Sequence, residues 1–469
     1  MTAYAEQLSS RWVPLAMAGS AVLLGALAGY EPRMALAMAF GLVFVAVALV
    51  SLTAGTCLLA MLTFVDEVVP SGGLPLTKIM GALLILSWLA SISVGSHRRE
   101  KLFESSGFVY LLLVFILWAG LSALWAENPG DAISAVTRYA PNAMLFLIVF
   151  AAANTRSRAL WVVGAFVLGT IASAAYGVAF PVPADVEGRL SGALGNANET
   201  ATALAVGVAL AGGLAFALRG QPWLRAGVAV GIPLCLAALF LTVSRGGLVA
   251  LGAVLVAGVL VAGPRRKAAV ALVAVAAVGA VAYFGVIAEP QMRERLFESD
   301  GGTGRSDIWT VGWRIVEANP VVGVGAGNFA STSVHYLFEP GVILRPDFIV
   351  DDPKVAHNTY LEVLAELGVV GLLLFLAILG YVLRAALAAA RGFAAAGDRG
   401  MEMVARAVLV ALIGFMVAAF FGSREFSNQL WLLLSLAPAL LGVARAELAR
   451  QGDGQVAEGR SMPRTRPAA

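Results

Sequence analysis

The sequence predicts an all-α polytopic membrane protein with about 12–14 transmembrane helices and one large polar region between late spans. Composition points there first: 59% of the 469 residues are hydrophobic, 13% are charged and the mean hydropathy is +0.85. Soluble domains hold roughly 45–50% apolar and about 25% charged residues, and no soluble core needs this excess. Apolar runs of span length then recur along the chain. Finally, the one long polar interruption, Glu289 to Lys354, separates two strongly apolar stretches.

Taken in order, apolar runs fall near 12–30, 34–50, 52–68, 76–95, 107–125, 132–153, 159–180, 200–218, 223–242, 246–263, 268–287, 362–384, 404–422 and 428–445. The second and third also read as one long, broken helix. No short apolar region with a small-residue cleavage site opens the chain, so the first run is expected to be a retained span. The many Ala, Gly and Val residues suit close helix packing in lipid. Cys57 and Cys235 lie inside apolar runs, which indicates neither a disulfide framework nor a metal cluster.

Charge then orients the set. Loops of one parity hold HRREK (His97–Lys101), TRSR (Thr155–Arg158), RGQPWLR (Arg219–Arg225), PRRK (Pro264–Lys267) and the Arg384–Arg406 loop. With Arg11 and the tail from Arg445, that face collects 20 of the 32 Lys and Arg, and the opposite face holds 21 of the 29 Asp and Glu. The positive-inside rule places both termini in the cytoplasm. Glu289–Lys354 then lies outside, with ENPGD (Glu127–Asp131), the loop around Arg189 and GSREFSN (Gly422–Asn428). Because the charges are segregated by topology, the net charge of +3 implies no nucleic-acid partner. The expected parts are an N-terminal bundle of about 11 spans over 1–287, an outer polar region over 288–361, three spans over 362–446 and a disordered cytoplasmic tail over 447–469.

On the outer face, Arg189 stands in GRLSGALGNANET (Gly188–Thr200), where Asn198 is placed to cap the next helix and turn its N–H groups toward an anion. Arg245 sits in SRGG between two apolar runs, and Arg305 opens RSDIW. Each has a bland reading: Arg245 as a snorkelling anchor, Arg189 as a solvated loop charge, Arg305 as a local partner of Asp307. Sharing one face favours a joint role, because arginine forks match phosphate oxygens. His357 precedes the span that follows the polar region, with Asn358, Glu362 and Glu366 at i+4 spacing on one stripe. An unpaired Glu366, about two turns into the helix, would be costly. His335 is the rival base, and His97 falls on the other face. Asp351 and Asp352 form the one tight acidic pair nearby, more simply read as solvated than as metal ligands.

RLSGALGNANE, SRGG, GRSDIW, NPVVGVGAGNF and HNTYLEVLAELGVVGLLLFL, in this order, resemble the O-antigen ligase / O-antigen polysaccharide polymerase superfamily of bacterial membrane glycosyltransferases. The resemblance covers Arg189 to Leu376, and two extra spans near the N-terminus depart from the family's usual count of about a dozen. It implies a GT-C-type enzyme of the bacterial inner membrane, working on the periplasmic face with inversion and without metal, nucleotide sugar or other cofactor. The donor would be a glycan on undecaprenyl diphosphate. The acceptor would be lipid A–core for a ligase, or another lipid-linked glycan for a polymerase. Arg245, Arg305 and His357 resemble the family's functional arginines and histidine, and Arg189 resembles an arginine beside the diphosphate.

The residues fit that chemistry. A departing lipid diphosphate needs positive charge, which preorganised arginines supply strongly near lipid. An acceptor hydroxyl needs a base, and a histidine serves near neutral pH. Trp309, Trp313, Tyr336 and Tyr360 could stack sugars or form an interfacial belt. The rival class is a lipid-glycan transporter or flippase, which predicts internal repeats and charges near the midplane. No repeat is found, and the charges gather at one face.

Overall fold

The structure is a computed structural model that describes residues 21–64, 76–94, 106–180, 189–263, 266–288, 304–337 and 354–461, with 19, 290 and 343 singly. Its described residues contain helices and turns and no strand. Nine helices among them are long and apolar enough to cross a membrane, and five shorter apolar helices accompany these. Together they coincide with the apolar runs read from the sequence, so the chain is an all-α polytopic membrane protein.

The helices are α1 (Ala21–Tyr30), α2 (Pro32–Val50), α3 (Leu52–Leu62), α4 (Leu76–Val94), α5 (Ser106–Leu121), α6 (Pro129–Ala152), α7 (Arg156–Ala179) and α8 (Ala197–Ala217). After these come α9 (Pro222–Leu241), α10 (Arg245–Val261), α11 (Arg266–Ala282), α12 (Arg305–Ala318), the single turn α13 (Phe329–Ser333), α14 (Thr359–Ala395), α15 (Arg399–Ala418) and α16 (Asn428–Ser461). The second and third runs are two helices. Ser51 is extended (φ −146°, ψ 104°), its side chain accepts from Ala54 N–H, and Gly55 folds back against Ala48. The last helix runs to Ser461, past the boundary drawn at 446, so helical geometry continues through 447–461.

Side-chain caps set many of the helix starts. Asn128, Thr155, Asn196, Ser244, Asn358 and Asp398 each accept a backbone N–H of the first turn. Small residues then set the packing around α8. Gly207 abuts Thr170, Gly213 abuts Ala407 and Gly247 abuts Ala201, so α8 lies close against α7, α15 and α10. This packing gathers the N-terminal ends of α8, α10, α12 and α14, with the loop before α16, into one end of the bundle.

Candidate functional site

One half of the site is built on α8 and α10. Arg189 is buried, and its Nε donates to the Thr242 carbonyl at 3.0 Å. Its Nη2 donates to Asn198 Oδ1 at 3.1 Å, and the Ser244 hydroxyl donates to the same oxygen at 2.7 Å. Ser244 caps α10 by accepting from Gly247 N–H, so Arg245 is the first residue of that helix. The cap of α8 is Asn196, which accepts from Asn198 N–H and Glu199 N–H. The capping role expected for Asn198 therefore belongs to Asn196, and Asn198 instead ties Arg189 to the SRGG turn.

The other half is built on α12 and α14. Gly304 (φ 66°) turns the chain so that Arg305 opens α12, and Asn358 caps α14 by accepting from Tyr360 N–H and Leu361 N–H. His357 precedes that cap. Its backbone N–H donates to Ser423 Oγ at 3.1 Å, and the Ser423 hydroxyl donates to the buried Glu362 carboxylate. Burial first, then the charges of Arg305, Arg424 and Lys354, lower the His357 pKa to about 4. The imidazole is therefore neutral at pH 7, with two arginines and a lysine around it.

Among the described residues, only Val243 and His357 are non-glycine residues with positive φ, at 48° and 50°. A β-branched residue in this region is a true outlier, and each such residue costs about 1–3 kcal/mol. The two strained positions stand two residues before Arg245 and two residues before the first turn of α14. Strain held at both halves of the site is the pattern expected where geometry serves function.

The NPVVGVGAGNF stretch braces this end. Gly323, Gly325 and Gly327 all have positive φ, and a Cβ on Gly323 would meet the Glu366 carbonyl carbon and oxygen at 2.3 Å. Glu366 is fully engaged: Gly327 N–H donates to Oε2 at 2.7 Å and Phe329 N–H to Oε1 at 3.1 Å. The cost anticipated for an unpaired Glu366 is thus offset in part by two backbone donors. Asn328 closes the loop onto ENPGD, accepting from Asn128 N–H at 2.8 Å and donating to the Asn128 carbonyl at 3.2 Å.

The helix break that receives this loop is Gly368 (φ 67°, ψ −171°), whose Cβ would fall 2.0 Å from the Val321 carbonyl oxygen. That backbone region is essentially glycine-only. Gly368→Ala is expected to cost about 1–3 kcal/mol from the backbone alone, with a further penalty of about 1–3 kcal/mol from overpacking. Thermal unfolding of the detergent-solubilised protein should show a clearly lower midpoint. An unchanged midpoint would mean that the break is not structurally required.

Glu199 and Arg424 join the two halves, with Arg424 Nη1 at 3.2 Å from Glu199 Oε1. Arg424 is 6% exposed, its backbone N–H donates to Thr359 Oγ1 at 2.8 Å, and its Nε has no hydrogen-bond partner among the described residues. Burial lowers its pKa, while Glu199 and Glu425 oppose that. Neither Arg424 nor Glu199 was singled out from the sequence. The available signal was that SREF, like SRGG, sets an arginine between two apolar runs.

The rival histidine is placed differently. His335 is 64% exposed, and its Nδ1 lies 2.8 Å from Glu127 Oε1. Of the four aromatics, three act structurally. Trp309 Nε1 donates to the Ala356 carbonyl at 3.0 Å, Tyr336 OH accepts from Asn319, and Tyr360 OH donates to the Met416 carbonyl. Trp313 is 54% exposed. His97, Asp351 and Asp352 lie outside the described residues.

Fold and site together define a polytopic all-α membrane protein with arginines and one neutral histidine gathered at one end of its bundle. Residues 230–376 match the family model of O-antigen ligase (Wzy_C), the family that the motifs of this stretch resemble. That stretch contains Arg245, Arg305, His357, Asn358 and Glu362; Arg189, Asn198 and Arg424 flank it. No curated protein matches the chain.

Proposed function

We propose that this glycan-transferring protein is a metal-independent, inverting glycosyltransferase of the bacterial cytoplasmic membrane. It moves a glycan from undecaprenyl diphosphate to an acceptor sugar hydroxyl on the periplasmic face, and the acceptor is lipid A–core. The observation that carries this reading is the neutral His357 surrounded by Arg305, Arg424 and Lys354. Arg245, Arg305 and Arg189 hold the diphosphate in this reading. His357 takes the proton from the acceptor hydroxyl as its oxygen attacks the anomeric carbon. The carbon–oxygen bond to the diphosphate breaks on the opposite face, which inverts the centre in one displacement. The cations that depress the His357 pKa are those a bound diphosphate offsets, so donor binding would raise the base strength of the imidazole. Asn358 and Glu362 support it, Asn358 by fixing the start of α14 and Glu362 through Ser423.

Glycan analysis of a deletion strain tests the reaction. Loss of long glycan from lipopolysaccharide, with accumulation of lipid-linked polymer, is expected. Single-repeat products would instead make the protein a polymerase, and unchanged glycans would remove the assignment. Orientation is tested separately, with Cys57 and Cys235 replaced by alanine. An impermeant maleimide should label Thr310→Cys, on the exposed side of α12, in intact spheroplasts, and leave Ser157→Cys unlabelled. The reverse pattern would turn the protein over in the membrane.

A further inference from the structure

A second polar opening lies on the other side of the loop that carries Ser423 and Arg424. A cavity of about 440 Å³ runs between α3, α4 and α6 and is bounded at one end by Phe426 of that loop and Asn428 at the start of α16. Its inner wall is apolar, with Leu59, Ile85, Leu145 and Ile148. Among the described residues that line it, the polar end carries two cations, Lys78 and Arg138, and no acidic side chain. Both cations are exposed, and among the described residues neither makes a hydrogen bond or ion pair. Arg138 rests its guanidinium 3.7 Å from the centre of the Phe426 ring, leaving its N–H edge available. Glu425, buried behind the loop, feels the Arg138 charge but forms no ion pair with it.

Two cations above an apolar slot, with no counter-charge among the described lining residues, complement a ligand with a phosphate at one end and hydrocarbon at the other. We infer that this cleft is a second lipid site, which takes the phosphate of a membrane lipid between Lys78 and Arg138 and one of its chains along Leu59, Ile85 and Ile148. Guanidinium and ammonium donors bind phosphate through charge-assisted bonds. The volume suits a headgroup and part of one chain, within the range of about 300–1,000 Å³ for ligand sites. Because Phe426 belongs to the loop that holds Arg424 and Ser423, and Asn428 opens the helix that follows it, an occupant here braces the segment next to His357. The inference does not depend on the transfer chemistry, since it rests on the cleft alone.

Native mass spectrometry of the purified full chain tests it, with phosphatidylglycerol, phosphatidylcholine and inorganic phosphate as separate probes. The wild type should retain phosphatidylglycerol at least about tenfold more tightly than the Lys78→Gln/Arg138→Gln double variant, a difference of about 1.4 kcal/mol. Phosphatidylcholine should bind more weakly, and inorganic phosphate should not compete. Gly81→Phe provides a variant that keeps both charges. A Cβ at Gly81 meets nothing within 4 Å and Gly81 lines the cleft, so a ring there should occupy the cleft and reduce lipid binding. Lys267→Gln, an exposed cation away from the cleft, is the control and should leave binding unchanged. Equal binding by the wild type, the double variant and Gly81→Phe would overturn the site and leave Lys78 and Arg138 as interfacial anchors. Competition by inorganic phosphate would overturn the lipid as its occupant.

Discussion

His357→Ala should reduce transfer by about 10²–10⁴-fold, the contribution expected of one positioned base, while donor binding changes little. Removing a base acts on the transition state, so the loss should appear in kcat and in kcat/KM together. His335→Ala should be mild by comparison, because that imidazole is solvent-exposed and already paired with Glu127. The pH profile gives a second readout. Burial and three nearby cations put the His357 pKa at about 4, and the neutral form is the base. kcat/KM should therefore stay flat as pH falls from 7 to about 5 and drop only as it passes through about 4. Arg305→Ala removes one of the depressing charges, so its acid limb should move up toward the ordinary histidine value of about 6.5. A wild-type acid limb already at 6.5, or full activity in His357→Ala, would sink the assignment and return Glu362 or His335 as the base.

What the sequence made legible follows from how local each signal is. Span positions were readable because a hydrocarbon slab demands about 20 apolar residues whatever the tertiary contacts. Arg245 and His357 were readable because each stands beside a cap, Ser244 or Asn358, that marks a helix start in the sequence itself. Asn198 was misread as the cap because Asn196, two residues earlier, has the same side chain and the same capping chemistry; register decides between them. Long-range pairs were not legible. Glu199 meets Arg424 across 225 positions, and nothing local in either segment announces the other. Glu366 looked costly because its partners are backbone N–H groups, which carry no sequence signature, delivered by a glycine loop that reaches it through the break at Gly368. The bond from Trp309 to the Ala356 carbonyl is likewise invisible until the chain is folded.

Arg245→Lys and Arg305→Lys should each lose most of the transfer activity, by roughly 10²-fold or more, although both keep their charge. The expectation rests on shape. A guanidinium offers five N–H donors in a rigid plane that can grip two phosphate oxygens at once, whereas an ammonium is a compact point charge. Removing one preorganised donor from a developing anion typically costs about 10²–10³-fold. Position sharpens the case, because Arg245 and Arg305 are each the first residue of a helix, where free N–H groups and the dipole already favour an anion. Asn198→Ala should act in the same direction by a different route. Its Oδ1 accepts from both Arg189 and Ser244, so its loss frees the Arg189 fork and loosens the cap that places Arg245. If the arginines grip the leaving diphosphate, Asn198→Ala should lower affinity for the lipid-diphosphate donor and leave affinity for the acceptor unchanged. Near-wild-type transfer by both lysine variants would reduce the arginines to interfacial anchors and take the leaving-group stabilisation away from this end of the bundle.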